Sequence, residues 1–573
     1  MRKQLLLSHI LISAILILAA CGSEHTQSAE GTAIAPAAAT SSTAQPAPAQ
    51  ESELAADLAT GTEAVPTQKQ SEPTIHIFQG SPSSDASGFA TAQSIHPPQT
   101  TETYTHTDDN PVKRVAEAPV STFAIDVDTG SYANLRRFLM NGRKPPSDAV
   151  RVEEMLNYFS YDYKGPRDES IPFRADADVM TTPWNPDTKL LRIAIKGYEP
   201  PRDHRLPANL VFLIDVSGSM QDADKLPLLK TGMKMLVDQL GPNDRVSIVT
   251  YAGAAGLALA PTAGSDKETI RAAIDGLEAG GSTAGGEGIQ LAYAKAREAR
   301  ISDGINRIVL ATDGDFNVGI TDLDALKSLV EENRKSGIAL STIGFGEGNY
   351  NDALMEQIAD IGNGNYGYVD SLKEAKRLLV DGLQGTLQTI AKDVKVQIEF
   401  NPALIAEYRL IGYENRALNR EDFNNDKKDA GEIGAGHSVT ALYEIALVGS
   451  KGMSVDPLRY QGEGVVPTKG TGTKVDEFAL LRLRYKAPEG DVSKLIETPL
   501  SSSWLTRADD PATDDKFAAA VAAFGQYLKG GARLGTFDLS QIATLARDGR
   551  GEDASGARAE FIELVELTKA MGG

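Results

Sequence analysis

The sequence predicts an α/β protein in which a doubly wound, mostly parallel sheet is inserted in a β-sandwich-like layer, with helical segments at its N-terminal and C-terminal sides. Three patterns predict it. Buried strand patterns alternate with amphipathic helical patterns from about 210 to 361. Period-two strand patterns lie before this block, at 171–198, and after it, at 394–485. Each of those two groups holds too few strands to close alone, so they are expected to pair with one another across the insertion.

The chain has 573 residues and a formal net charge of −21. Its acidity speaks against nucleic acid and against an electrostatic grip on anionic lipid, both of which need clustered Lys and Arg. The single cysteine is Cys21. It follows Arg2, Lys3 and an apolar run from Leu5 to Ala20, a pattern that reads as a secretory signal peptide. Leu18-Ala-Ala-Cys21-Gly22 resembles a bacterial lipobox, which implies acylation of Cys21 and an envelope lipoprotein. Gly22 resembles the outer-membrane sorting pattern of diderm bacteria. Lipidation of Cys21 leaves no thiol for a disulfide. Past residue 21 no apolar run is long enough to span a bilayer.

Residues 21–112 are rich in Ala, Ser, Thr, Pro and Gln without periodicity and read as a flexible tether. Order is expected near Val120. Phe123-Ala-Ile-Asp126 reads as a strand, Tyr132–Asn141 and Val152–Phe159 as helices, and Leu190–Lys196 as a strand. Leu210–Asp215 is a buried strand. Leu226, Leu229, Met233, Leu236 and Leu240 step by three or four and form a helix face. Arg245–Tyr251, Asn306–Thr312 and Gly337–Ile343 continue as strands. Helices are expected at 266–277, 288–300, 322–335 and 352–361, and another at about 371–391. Strand patterns return at Val394–Phe400, Thr440–Leu447 and Phe478–Tyr485. The end is helical, with Phe517, Val521, Phe524 and Leu528 on one stripe and a second stripe at 560–571. The expected units are 1–20 signal peptide, 21–112 tether, 113–205 N-terminal region, 206–391 α/β domain, 392–500 β-rich region and 501–573 helical region.

Ligands of doubly wound sheets bind past the carboxyl ends of the strands. There the sequence places Asp215-Val-Ser217-Gly-Ser219, then Thr283 before a helix, then Asp313 after a strand. Two carboxylates and three hydroxyls, without His or Cys, suit a hard cation: Mg2+ first, then Mn2+ or Ca2+. Neutral hydroxyls leave much of the ion's charge unmet, so a partner's Asp or Glu could complete the shell. These five residues resemble the metal-ion-dependent adhesion site (MIDAS) of von Willebrand factor type A (VWA) domains, a Rossmann-like fold. The resemblance implies direct ligation by Ser217 and Ser219, and ligation by Asp215, Thr283 and Asp313 directly or through water.

Phe123-Ala-Ile-Asp-Val-Asp-Thr-Gly-Ser-Tyr132, Arg151-Val-Glu-Glu-Met-Leu-Asn-Tyr158 and Asp429-Ala-Gly-Glu-Ile-Gly-Ala-Gly-His437 resemble segments of the YfbK-like bacterial lipoproteins, over roughly 115–570. That resemblance implies an N-terminal VWA-associated region and a C-terminal region around the A domain. The expected function is a non-enzymatic envelope protein that binds a protein partner through the metal, in adhesion or envelope assembly. A metal-dependent hydrolase is the alternative, for which no positioned base is evident.

Asp126-Val-Asp128-Thr-Gly-Ser131 partly copies the metal motif but reads as a turn and helix cap. Asp422–Asp429 lacks the Gly and Glu of a calcium loop and reads as a polar surface loop. Asp315 reads as a turn residue. His204 and His437 are too few for a zinc triad, and His437 is expected to be hydrogen-bonded and structural. Trp184 and Trp504 are expected to be buried.

Overall fold

The computed structural model describes residues 101–572, apart from 202–204, 282–285, 315–322, 383–387, 457–475 and 508–510. In chain order the N-terminal part carries strands β1 (Lys113–Arg114) and β2 (Val120–Ala124), helices α1 (Gly130–Met140) and α2 (Val152–Tyr158), and strands β3 (Phe173–Thr181) and β4 (Lys189–Gly197). The α/β part follows: β5 (Ala208–Asp215), α3 (Leu226–Gln239), β6 (Arg245–Tyr251), β7 (Ala255–Ala263), α4 (Lys267–Asp275), α5 (Gly286–Glu298), β8 (Ile305–Thr312), α6 (Leu323–Arg334), β9 (Ala339–Phe345), α7 (Asp352–Ile361), β10 (Tyr366–Val369) and α8 (Leu372–Lys376). Then come β11 (Thr389–Phe400), β12 (Ile405–Ile411), β13 (Gly431–Gly434), β14 (Ser438–Leu447), β15 (Glu477–Lys486) and β16 (Ser493–Ser501). Helices α9 (Thr513–Leu528), α10 (Leu539–Asp548) and α11 (Ala557–Ala570) end the chain.

The α/β sheet has the order β10-β9-β8-β5-β6-β7, parallel except for the antiparallel edge strand β7. All eight residues of β5 are buried, as a central parallel strand covered on both faces requires. Leu210, Phe212 and Ile214 point to the α3 and α4 side, whereas Val211 and Leu213 point to the α5, α6 and α7 side.

Strands from both sides of this insertion share their sheets. One sheet runs β1-β12-β14-β4-β3, with β4 from before the insertion hydrogen-bonded to β14 from after it. In the facing sheet β11 joins β13 and β15 and also takes β2, and β15 continues to β16. Between them lies a core of Phe123, Ile193, Val396, Ile398, Val439, Tyr443 and Leu481. The outer face of the first sheet carries α2 and the C-terminal helices, packed through Met155, Leu190, Leu442, Phe524 and Phe561.

Several details differ from the sequence reading. The helix expected at 371–391 is short: α8 runs into a π-turn at Arg377–Asp381, and β11 starts at Thr389. Strands β7, β10, β12, β13 and β16 and helix α10 lack a pattern strong enough to read in isolation. The expected tether gives way before 112. Thr101 N donates to Gly348 O, Thr103 N to Tyr350 O, and the buried Glu102 carboxylate pairs with Arg137 at 2.8 Å. Among the described residues no helix is long and apolar enough to cross a membrane.

Buried arginines tie the parts together. Arg136 of α1 meets Asp370 at 2.5 Å and Glu374 at 2.9 Å in the α/β part, and Glu560 of α11 at 2.7 Å. The guanidinium suits this role because its rigid fork meets several carboxylates at once.

Candidate functional site

The candidate site begins with strand register. β5 lies between β6 and β8, so the carboxyl ends of three parallel strands are side by side. Asp215 is opposite Tyr251, and Ile214 is opposite Ala311. Asp313 follows the last residue of β8. Both carboxylates therefore sit at one rim of the sheet, and both are buried.

After Asp215 the chain turns. Ser217 N donates to Asp215 Oδ1 at 2.8 Å, an Asx-type turn that folds the motif back over the sheet. This brings Ser217 Oγ to 3.0 Å from Ser219 Oγ. Asp215 Oδ2 accepts from Thr312 Oγ1 at 2.9 Å and from Tyr251 OH at 3.3 Å, which fixes the carboxylate. Burial pushes the Asp215 carboxyl above its usual range, opposed by the hydrogen bonds from Ser217 and Thr312; the nearby Asp313 charge adds to the rise.

Asp313 is positioned by the turn into Gly314, whose φ of +89° is a left-handed conformation that glycine accepts at little cost. An added Cβ there would also lie 2.4 Å from Asn351 N. The loop leading to Thr283 is stitched to the Asp215 loop. Gly280 N donates to Val216 O at 2.7 Å, and Gly218 N to Gly281 O at 3.1 Å. Thr283 itself lies outside the described residues, as does Asp315.

Sequence reasoning missed Lys225. Its Nζ lies 3.0 Å from Asp313 Oδ2 and 3.0 Å from Ser219 O. Lys225 is the residue just before α3, where a cation opposes the helix dipole. That unfavourable placement was the available signal that the lysine answers to a nearby anion. Tyr251 and Thr312 were missed as well, because strand-end residues read from sequence as core.

The donor set fits a hard cation. It is all oxygen, its carboxylates are buried, and an ammonium already reaches Asp313 Oδ2 and Ser219 O. Among the described residues no cluster of three or more His, Cys, Asp or Glu offers a rival metal site.

The secondary motifs resolve differently. Asp126 Oδ1 accepts from Asp128 N at 2.9 Å and Asp128 Oδ1 from Tyr366 N at 2.8 Å, so this is a turn that also holds β10. It does not cap α1 with its own side chains. Glu154 does so from α2, its Oε2 accepting from Ser131 N at 2.7 Å. Asp422 closes a capping box with Asn419, and Asp426 binds Arg484, as a polar surface loop would. Trp184 is buried with Nε1 3.3 Å from Glu444, and Trp504 is half-buried. His204 lies outside the described residues. His437 departs from expectation: its buried Nδ1 has no hydrogen-bond partner among the described residues, because only backbone groups of that turn are engaged.

Comparison with known proteins adds identity to this geometry. Residues 209–380 match the family model described as von Willebrand factor type A domain, which points to protein–protein interaction or adhesion. Residues 98–192 match one described as von Willebrand factor, and 385–571 one described as Uncharacterized protein YfbK, C-terminal. Uncharacterized protein YfbK of Escherichia coli is 48% identical over 477 residues, covering 82% of each chain. Uncharacterized protein sll0103 of Synechocystis is 30% identical over 208 residues, 35% of this chain and 48% of that one. Among solved structures, a von Willebrand factor type A protein from Catenulispora acidiphila aligns over 70% of this chain and 91% of its own, at 16% identity and a TM-score of 0.37. With matched family models on both sides of residue 382 and a relative nearly half identical over most of both lengths, the chain belongs to the YfbK family of VWA-domain proteins.

Proposed function

We propose that the chain is a lipid-anchored envelope protein whose VWA domain captures a carboxylate of a protein partner through one divalent cation. The observation that carries this reading is the convergence of Asp215, Ser217, Ser219 and Asp313 on one rim of the sheet, with Lys225 Nζ spanning Ser219 and Asp313. Asp215, Ser217, Ser219 and Asp313 would hold the ion, Mg2+ before Mn2+ or Ca2+, with Thr283 as the fifth candidate donor. When bound, such a cation supplies a Lewis-acidic position that a carboxylate can fill.

An acidic partner is favoured only once the cation is bound. Two carboxylates and one lysine leave this rim with a small negative charge, which a divalent cation would reverse. Tyr251 and Thr312 hold Asp215 from below, so its carboxylate is oriented before any ligand arrives.

Membrane attachment is part of the same proposal and rests on Cys21 with its preceding apolar run. The test is affinity capture from intact envelopes with the wild type and Asp215→Ala, each with Mg2+ and with EDTA. One specific partner is expected only with wild type and Mg2+. Equal recovery in EDTA would exclude metal-mediated capture. A Cys21→Ser chain recovered in the soluble fraction would support the anchor, and one retained on the membrane would remove it.

A further inference from the structure

The loop from β9 to α7, residues 346–351, packs against the candidate metal rim. Gly346, at a φ of +70°, leaves room that the Lys225 stem fills: a Cβ there would lie 2.9 Å from both Lys225 Cγ and Cδ. Further along the loop, Asn351 N and Tyr350 Cδ2 sit 2.4 Å and 2.8 Å from where a Cβ on Gly314 would be. Gly314 is the residue after Asp313, and Lys225 Nζ reaches Asp313 Oδ2 at 3.0 Å. The loop therefore backs both partners of the buried ion pair at the rim.

A short strap of chain lies along the same loop. Thr101 N donates to Gly348 O at 2.8 Å and Thr103 N to Tyr350 O at 2.9 Å. Thr101 Oγ1 also donates to Gly348 O at 3.1 Å, and Thr103 pairs with Asn351 as a parallel bridge. Between the two threonines Glu102 turns inward. Its buried carboxylate accepts from Gly348 N at 2.9 Å, from Tyr104 OH at 2.7 Å and from both Nη atoms of Arg137 at 2.8 Å. Arg137 belongs to α1, and its Nη1 also lies 3.4 Å from Glu347 of the loop. Glu102 thus fastens the loop to α1. Thr101 and Thr103 are exposed, so the strap's backbone bonds border solvent, where local opening costs least.

We infer, on the metal reading proposed above, that residues 101–104 are a releasable strap that keeps Lys225 on Asp313, and that freeing it opens the rim to a cation. While the strap holds the loop, Gly346 holds the lysine stem, and a cation must displace an ammonium that is already fixed in place. Once the strap is released, loop and stem regain conformational freedom. The ammonium is then paired for less of the time, and a larger fraction of molecules is competent to take the ion. The covalent path to Cys21 leads out of this strand through Thr101, so tension on that side would load the strap.

The test uses the full chain carrying Thr101→Pro and Thr103→Pro together, which removes both backbone donors, in the wild-type and Lys225→Met backgrounds. Hydrogen exchange in EDTA reports on the loop, and titration calorimetry with Mg2+ reports on the rim. In EDTA the amides of 346–351 are expected to exchange about tenfold faster with the prolines, while those of α3 and β8 keep their rates. Mg2+ affinity is expected to rise about threefold, and Lys225→Met to gain nothing further from the prolines. Glu102→Gln, which keeps the side chain's shape without its charge, should move both readouts the same way by less. Unchanged exchange in the loop, unchanged or weaker Mg2+ binding, or an equal gain in the Lys225→Met background would each overturn the strap. Mg2+ binding by neither the wild type nor Lys225→Met would remove the metal reading itself, and the strap with it.

Discussion

Lys225 Nζ stands 3.0 Å from Asp313 Oδ2, and both side chains are almost fully buried. The lysine's stem packs over Gly346, where an added Cβ would come within 2.1 Å of Lys225 Cε. The ammonium is thus held at the rim by packing as well as by charge. Lys225→Met is expected to lower stability in EDTA by about 3–5 kcal/mol, because the buried Asp313 then loses the ammonium beside it. The same variant should bind Mg2+ more tightly, since the competing cation is gone. Unfolding midpoints in EDTA and in Mg2+, with calorimetric titration of Mg2+, check both. Unchanged metal affinity would show that lysine and metal do not compete.

Arg151 joins α2 to the first turn of α7. Its Nη1 lies 2.6 Å and its Nη2 3.2 Å from the two oxygens of Asp352, and its Nε meets Glu154. Replacement by Met would leave both carboxylates buried without their common cation, at a cost of about 3–5 kcal/mol. Arg151→Lys should recover only part, because an ammonium cannot reproduce the fork. Urea unfolding of the three proteins decides it, and a loss under 1 kcal/mol in Arg151→Met, the ~0–1 kcal/mol of a surface pair, would refute the tie.

Gly130 opens α1 directly against β10. An added Cβ would lie 2.2 Å from Tyr366 Cε1, and that ring is pinned by hydrogen bonds with Tyr350 and Asp352. Helix propensity alone would make Gly130→Ala stabilising by roughly 1 kcal/mol. Close packing predicts the opposite sign, a loss of about 1–3 kcal/mol. The sign of the shift in urea midpoint separates the two effects.

His437 provides a pH signature. Burial and the neighbouring Lys196, Arg307 and Arg377 hold its folded-state pKa at about 4, below the ordinary 6.5. Below pH 6.5 the unfolded chain takes up the proton, and the folded protein does not until about pH 4. The histidine therefore draws stability down across that window as the pH falls, and the loss levels off below it. Compared with His437→Gln, the wild type should lose more stability between pH 7 and pH 4. Unfolding midpoints measured across this range should diverge toward acid, and parallel profiles would contradict the account.

Much of the fold was legible because burial writes periodicity into sequence. Leu226, Leu229, Met233 and Leu236 mark α3 by helical spacing, and the buried β5 carries an unbroken apolar run from Leu210 to Ile214. The metal motif was legible because Asp215, Ser217 and Ser219 fall right after such a run. Strands such as β7 and β10 were not. β7 is an exposed edge with mixed burial, and β10 has only four residues. The helix after Ser371 was overextended because nothing in the apolar pattern marks where α8 passes into the π-turn at Arg377.

By itself, the sequence determined the alternation of strands and helices, the oxygen-donor residues at strand ends and the need for strands on both sides of the insertion to find partners. Those are properties of single segments, set by side-chain period and by the turn chemistry next to it. The tertiary structure alone decided that β4 meets β14, that Arg136 binds three carboxylates from two other parts of the chain, and that Lys225 reaches Asp313. These contacts join residues far apart in sequence, and charged side chains carry no periodic signal of their destination. Only the docking of complete elements brings such groups together and removes the water that would otherwise screen them.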